Sequence, residues 1–225
     1  MTTTNELLKA RFLLNIGRIN SLMRLLNTNE ALKPTGIFRS EGARADILRF
    51  IVVFLHATFE VVLRSLLPNP NKSLSFYSRA DLDKALKLSR IDPKPFKPLY
   101  PPLTQMAKRR KRIVHEADLS KRTDTVSEAW GVVDDWQLLM WLMAVVAFYF
   151  QLRMSVNAAS VVERTMYERH RKVMMNHVDF AKQLLAFPKV LPDLRREALL
   201  RIVDTLKGIA ETLRLDVSDL EPDLG

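Results

Sequence analysis

The chain has 225 residues, of which 48% are hydrophobic, and this is enough apolar material to bury a sizeable core. Lysines and arginines number 35 against 25 aspartates and glutamates, so a net charge of +10 favours polyanionic partners, with nucleic acid ahead of an anionic membrane surface. The absence of cysteine excludes disulfides, thiolate metal sites and cysteine nucleophiles.

Helical periodicity runs through nearly the whole sequence, and only six glycines interrupt it. We therefore predict an all-α fold. The first helix is predicted over residues 5–26, with apolar side chains on one stripe, and the KPTG sequence at 33–36 ends this segment. The N-terminal MTTTNELLKARF lacks the basic and apolar regions of a signal peptide, so we expect a cytoplasmic protein.

A long second helix is predicted to start near Ser40 and to run to the break at 68–70, with Ser40 or Asp46 able to cap it. Three polar residues four positions apart share one face of it: His56, Glu60 and Arg64. They form either a buried ion pair with a packed imidazole or part of a functional cleft.

A short helical piece is predicted over 79–88, followed by a stretch rich in proline. A third main helix is predicted to begin near Pro101 and Pro102 and to extend through residue 118, because proline is tolerated in a first helical turn.

The fourth helix contains the most apolar stretch of the chain, LLMWLMAVVAFYF at 138–150. This stretch is shorter than the roughly 20 residues that a membrane span needs. Asp134 and Asp135 precede it, where carboxylates suit a helix N-terminus. We therefore predict a buried core helix and no membrane partner.

The chain is predicted to divide into a helical bundle domain, 1–154, and a C-terminal helical extension packed on or beside it, 155–225. The extension contains an amphipathic segment and a last helix over 193–213. It also contains a second basic cluster: Arg164, Arg169, His170, Arg171 and Lys172. This cluster is either a solvated face or a source of further phosphate contacts, and Tyr167 within it is a candidate for stacking on a base.

The sequence KRRKRIVHEAD at 108–118 is the strongest functional signal, because five consecutive cations lead into a histidine. On a helix at about 100° per residue, Arg110 falls within the apolar stripe, where an arginine is costly unless it is paired or faces a cleft. We predict that the cations of this run contact RNA phosphates: Lys108, Arg109, Lys111 and Arg112 beside Arg110.

His115 lies five residues after Arg110, about 140° round the helix, so the two are not direct helical neighbours. They can converge if the long arginine reaches round, or if two copies of the helix meet at a twofold axis. An arginine and a histidine without a metal suit phosphoryl transfer at a 2′-hydroxyl, since histidine exchanges protons near neutral pH and guanidinium stabilises phosphate charge.

At these residues the sequence resembles a known family. The segment from Arg110 to His115 matches the R-x4-6-H signature of the HEPN superfamily, and RIVHEAD resembles its RiboL-PSP branch. The upstream SEGARADILRFIVVFLHATFEVVLRSLL also resembles the long helix of that branch, so the similarity covers roughly residues 40–150.

The resemblance implies an up-and-down helical bundle that dimerises so that two Arg/His motifs line one cleft. It also implies a ribonuclease without metal or other cofactor, which cleaves RNA to leave a 2′,3′-cyclic phosphate. Many such proteins are toxins or anti-phage effectors. The expected partners are therefore tRNA, mRNA or another single-stranded RNA, a second copy of the chain, and an antitoxin or defence-system subunit.

Carried over by residue, the resemblance makes Arg110 the phosphate-stabilising group, His115 the acid/base and Glu60 an acidic residue that orients the pair. Two positions depart from the family pattern. Lys111 stands where Asn, Asp or His is usual and cannot accept a hydrogen bond, and Ala117 stands where some relatives carry a tyrosine that is nucleotidylated.

Two alternatives remain open at the level of sequence. Lys111 favours a catalytically inactive HEPN-fold protein that serves as an RNA-binding or partner-binding scaffold. A protein of the membrane surface is the other alternative, but the cations are scattered over several helices and do not lie opposite one apolar stripe.

Overall fold

The structure is a computed structural model that describes residues 4–28, 42–67, 76–115, 133–156, 161–186 and 192–215. Within these ranges all regular structure is helical, which confirms the all-α prediction. The elements in chain order are α1 (Thr4–Thr28), α2 (Ala43–Leu66), α3 (Arg79–Leu88), a 3-10 helix (Lys94–Leu99), α4 (Tyr100–His115), α5 (Asp135–Ser155), α6 (Val161–Ala186) and α7 (Pro192–Leu215).

Helix α5 is the centre of the fold, because every residue from 138 to 150 is buried. Aromatic rings from four other elements contact it. Phe12 of α1 stacks on Tyr149 with 4.0 Å between ring centroids, and Tyr167 of α6 stacks on Phe150 at 5.6 Å. Phe148 contacts Phe59 of α2 at 5.2 Å and Phe96 of the 3-10 helix at 4.7 Å. A helix that is apolar on all sides is stable in water only when other elements surround it. The prediction of a buried core helix is confirmed.

In the described part of the chain, α5 is also the one helix that is long and apolar enough to cross a membrane by length and composition. Within the fold, 89% of the 18-residue apolar stretch of this helix is buried.

Specific polar contacts fix the start of α5. Asp134 caps it by accepting hydrogen bonds from the backbone N–H groups of Trp136 (2.8 Å) and Gln137 (3.3 Å). The next residue, Asp135, pairs with Arg44 of α2, and Arg44 also donates to the carbonyl of Leu26 in α1. One guanidinium therefore joins the end of α1 to the starts of α2 and α5.

The start of α2 differs from the prediction. The residue before the helix is Gly42, whose φ of 119° suits glycine, and its position makes no side-chain cap. Asp46 lies inside the first turn and pairs with Arg49 at 2.9 Å, so the prediction that it caps the helix is wrong. Ser40 lies outside the described residues.

The last two helices pack on the others. Helix α6 lies along α5, and α7 lies along α1, where the Asn20 amide donates to the carbonyl of Val203 at 2.9 Å. Tyr167 of α6 and Ile202 of α7 belong to the same continuous core as α5. The predicted boundary between 154 and 155 lies one residue before the end of α5 at Ser155, and the division into two units stays a prediction.

Candidate active site

Helix α4 carries the predicted site from the core out to the surface. Its first half is buried through Leu103, Met106 and Ala107, and its proline-containing first turn begins at Tyr100, one residue before the prediction. Beyond Ala107 the burial decreases: Arg110 is half-buried and Val114 is 45% exposed. The predicted apolar stripe is therefore fully buried only along its first half, and Ile113 further on is partly buried against the core. Arg110 lies where the burial decreases. Residues 116–118 lie outside the described part of the chain.

The structure brings Arg110 and His115 together within one chain. The arginine side chain reaches round the helix, so that its Nη1 lies 3.4 Å from Nε2 of His115, and His115 itself is exposed. A guanidinium nitrogen can only donate, so this contact is a hydrogen bond only when Nε2 carries no proton. The first of the two routes of convergence considered from the sequence is thus present, without a second copy of the helix.

Tyr77 is the residue of this site that the sequence interpretation missed. Its Oη accepts a hydrogen bond from the same Nη1 of Arg110 at 2.8 Å. Tyr77 directly precedes Ser78, the N-cap of α3, which accepts from the backbone N–H of Asp81 at 3.1 Å. The sequence signal available was this Ser-x-x-Asp start, which predicts a fixed helix end at Ser78 and therefore an ordered residue before it.

His56 lies behind Tyr77 and is 1% exposed. The two rings are stacked, with 5.3 Å between centroids and 12° between planes. Burial, and then the positive charge of Arg110, lowers the pKa of His56 to about 4, so the imidazole is neutral at neutral pH. The neutral state removes the charge repulsion with Arg110, although neither ring nitrogen of His56 makes a hydrogen bond within the described part of the chain.

Glu60 contacts the site indirectly. Its two carboxylate oxygens lie 3.7 Å from Nδ1 of His56 and 3.6 Å from Nη2 of Arg64. Glu60 thus lies beside His56 without a hydrogen bond to it, His56 stacks on Tyr77, and Tyr77 accepts from Arg110. The face of His56, Glu60 and Arg64 that the sequence left open is therefore half-buried packing that adjoins the site, and its role in the cleft stays a prediction.

The remaining predicted RNA-binding residues differ in exposure. Lys108, Lys111 and Arg112 are exposed along the end of α4, while Arg109 is half-buried. These cations lie on the same end of α4 as Arg110 and His115, and their positive charge attracts phosphate groups over a screening length of about 8 Å at physiological salt.

The second basic cluster, on α6, does not provide the base-stacking residue considered from the sequence. Tyr167 is fully buried and stacks on Phe150, so the prediction that it can stack on a base is wrong. Arg171 is half-buried and donates to the carbonyl of Pro95 at 3.3 Å. Arg164, Arg169 and Lys172 are exposed.

Comparisons with protein-family models, with curated proteins and with solved structures find no match to this chain. The HEPN resemblance therefore stays a prediction, and the functional argument depends on the geometry of the site.

Proposed function

We propose that the protein is a metal-independent RNA endonuclease, a cytoplasmic HEPN-like enzyme that leaves a 2′,3′-cyclic phosphate. One observation carries the proposal: the guanidinium of Arg110 lies 3.4 Å from Nε2 of an exposed histidine, at the end of a helix that also carries Lys108 and Lys111. A proton acceptor beside a guanidinium that can bind phosphate is the arrangement that 2′-hydroxyl chemistry requires, and this supports the proposal.

In the proposed reaction, a phosphate oxygen replaces His115 as the acceptor for Nη1 of Arg110, which frees the lone pair on Nε2 of His115. That nitrogen then takes the proton of the 2′-hydroxyl, and the 2′ oxygen attacks the adjacent phosphorus. The bond from phosphorus to the 5′ oxygen breaks, and the leaving oxygen takes a proton from the imidazolium or from water. Arg110 stabilises the charge that develops on the non-bridging oxygens. Glu60, through His56 and Tyr77, supports the position of the pair.

The substrate of this reaction is RNA with an accessible 2′-hydroxyl, such as tRNA, mRNA or another single strand. DNA lacks that hydroxyl and is expected to bind without being cut. We further propose that two copies of the chain pair so that their α4 ends face one cleft, and that an antitoxin or defence-system subunit controls the enzyme.

The test is RNA cleavage in EDTA by purified protein, with tRNA and a long single-stranded RNA as substrates. Arg110→Ala and His115→Ala are each expected to reduce cleavage by at least about 100-fold. Arg201→Ala on α7 and His177→Ala on α6 are the matched controls, because they remove the same side-chain types away from the site, and they are expected to cut like wild type. Cleavage that survives both site substitutions would contradict the proposal.

The second candidate function is an RNA-binding scaffold without catalysis, and Lys111 favours it. This lysine is exposed next to Arg110, where it adds a phosphate contact but no hydrogen-bond acceptor. If wild type, Arg110→Ala and His115→Ala all bind RNA and none cuts it, the scaffold is the correct function.

A further inference from the structure

Tyr77 lies outside the Arg110–His115 motif and contacts Arg110 directly. Its hydroxyl oxygen accepts from Nη1 of Arg110 at 2.8 Å, and the guanidinium carbon lies 5.9 Å from its ring centroid. The side chain is half-buried, and its ring is supported by the buried ring of His56. The phenol therefore meets the guanidinium from a fixed position.

The backbone on the N-terminal side of Tyr77 is held in an uncommon conformation. Phe76 has a φ of 54°, in the left-handed region that aromatic residues rarely adopt, although its side chain is only 1% exposed. The guanidinium of Arg64 lies 5.1 Å from the centroid of the Phe76 ring. Strain of this kind persists only where the surrounding structure imposes it.

The backbone on the C-terminal side is fixed as well, because Ser78 caps α3. Tyr77 is thus held between a buried, strained Phe76 and a capped helix start. A side chain anchored in this manner can set the position of a flexible partner, and Arg110 is such a partner, since an arginine has several rotatable bonds.

We propose that Tyr77 is a positioning residue, whose hydrogen bond to Nη1 of Arg110 turns the guanidinium toward Nε2 of His115. The inference rests on the proposed function. Nη1 carries two hydrogens, and when one is donated to Tyr77 the other is directed at the imidazole 3.4 Å away. Residues five apart on a helix are separated by about 140° around its axis. By holding the guanidinium on the side of His115, Tyr77 offsets this separation between Arg110 and His115 on α4.

The experiment is steady-state cleavage of RNA in EDTA by Tyr77→Phe, which removes the hydroxyl and keeps the ring that stacks on His56. The kcat is expected to fall by about 10- to 100-fold, with KM within about a factor of two, because misplacement of a catalytic group affects the transition state more than substrate binding. Tyr100→Phe is the matched control: its hydroxyl donates to Asp83 at 2.7 Å, outside the site, and its kcat is expected to match wild type.

Two kinetic results would overturn the inference. A wild-type kcat in Tyr77→Phe would mean that the hydrogen bond does not position Arg110. A raised KM with an unchanged kcat would mean that the phenol contacts RNA instead.

A second measurement separates this inference from the proposed function. Rotation of the Arg110 guanidinium, followed by NMR exchange of its Nη protons, is expected to be slow in wild type and Tyr100→Phe and faster in Tyr77→Phe. If wild type cuts no RNA while this difference is present, the ribonuclease proposal fails and the positioning role stands. Free rotation in wild type would contradict the positioning role even for an active enzyme.

Discussion

The buried imidazole of His56 makes the stability of the fold depend on pH. Its pKa falls from 6.5 to about 4 through burial and the charge of Arg110. The unfolded chain takes up a proton near pH 6.5 and the folded chain only near pH 4, so this stability is fully present above pH 6.5 and declines as pH falls toward 4. The expected loss is on the order of 3 kcal/mol, at about 1.4 kcal/mol for each pKa unit, and urea unfolding at several pH values measures it.

His56→Gln is the variant that isolates this effect, because glutamine is polar but does not titrate. Burial also lowers the pKa of His177, so His177→Gln is the matched control. We expect the pH dependence of the unfolding free energy to flatten more in His56→Gln than in His177→Gln. Equal slopes in wild type and His56→Gln would contradict the assignment.

At the scale of single residues, the motif accounts for part of the site. Arg110 and His115 could be selected because they are close in sequence on one helix. Tyr77 could not, since it lies 33 positions from Arg110 and the contact depends on how the segment before α3 packs against α4. The neutral state of His56 could likewise not be predicted from the sequence, because it follows from burial in the assembled core.

At the scale of the helix, the cap of α5 is a defined contribution to stability. Asp134→Ala removes the oxygen that accepts from the N–H groups of Trp136 and Gln137 and is expected to cost about 1 kcal/mol. Asp134→Asn keeps a capping oxygen and serves as the matched control, with a smaller loss. Urea unfolding midpoints measure both, and equal losses in the two variants would contradict a capping role.

Helix starts could be predicted where a side chain marks them. Asp134 before α5 and the two prolines in the first turn of α4 are such marks. The start of α2 carries none, because Gly42 has no side chain to cap with and its positive φ is a property of the backbone alone. Polar residues nearby, such as Asp46, then suggested a cap that the helix does not use.

For the whole molecule, Arg44 is a connection between three helices. Arg44→Met is expected to destabilise the fold by about 3 kcal/mol, because it leaves a half-buried Asp135 carboxylate without this cation. Arg24→Met on α1 is the control: Arg24 is 52% and its partner Asp204 58% exposed, so its loss is expected to stay below about 1 kcal/mol. Thermal or urea unfolding compares the two, and similar losses would contradict the role of Arg44.

The number of helices could be predicted from the sequence more readily than their arrangement. Uniform hydrophobicity placed 138–150 in the core but could not indicate which helices cover it, since a helix that is apolar on every side has no preferred face. The contacts of Phe12, Phe59, Phe96 and Tyr167 with α5 come from segments far apart in the chain. Which segment covers which face of α5 depends on how the side chains of all these segments fit together, and no single segment indicates it.

The central position of α5 has a consequence for synthesis on the ribosome. Synthesis proceeds from the N-terminus, and α5 is complete before α6, the helix that packs along it, has been made. Until Ala186 has emerged, the face that later contacts Tyr167 has no permanent cover. Exposed apolar surface of this kind promotes aggregation of incomplete chains. Translation speed between α5 and α6, and chaperones that bind during it, should therefore control the yield of folded protein.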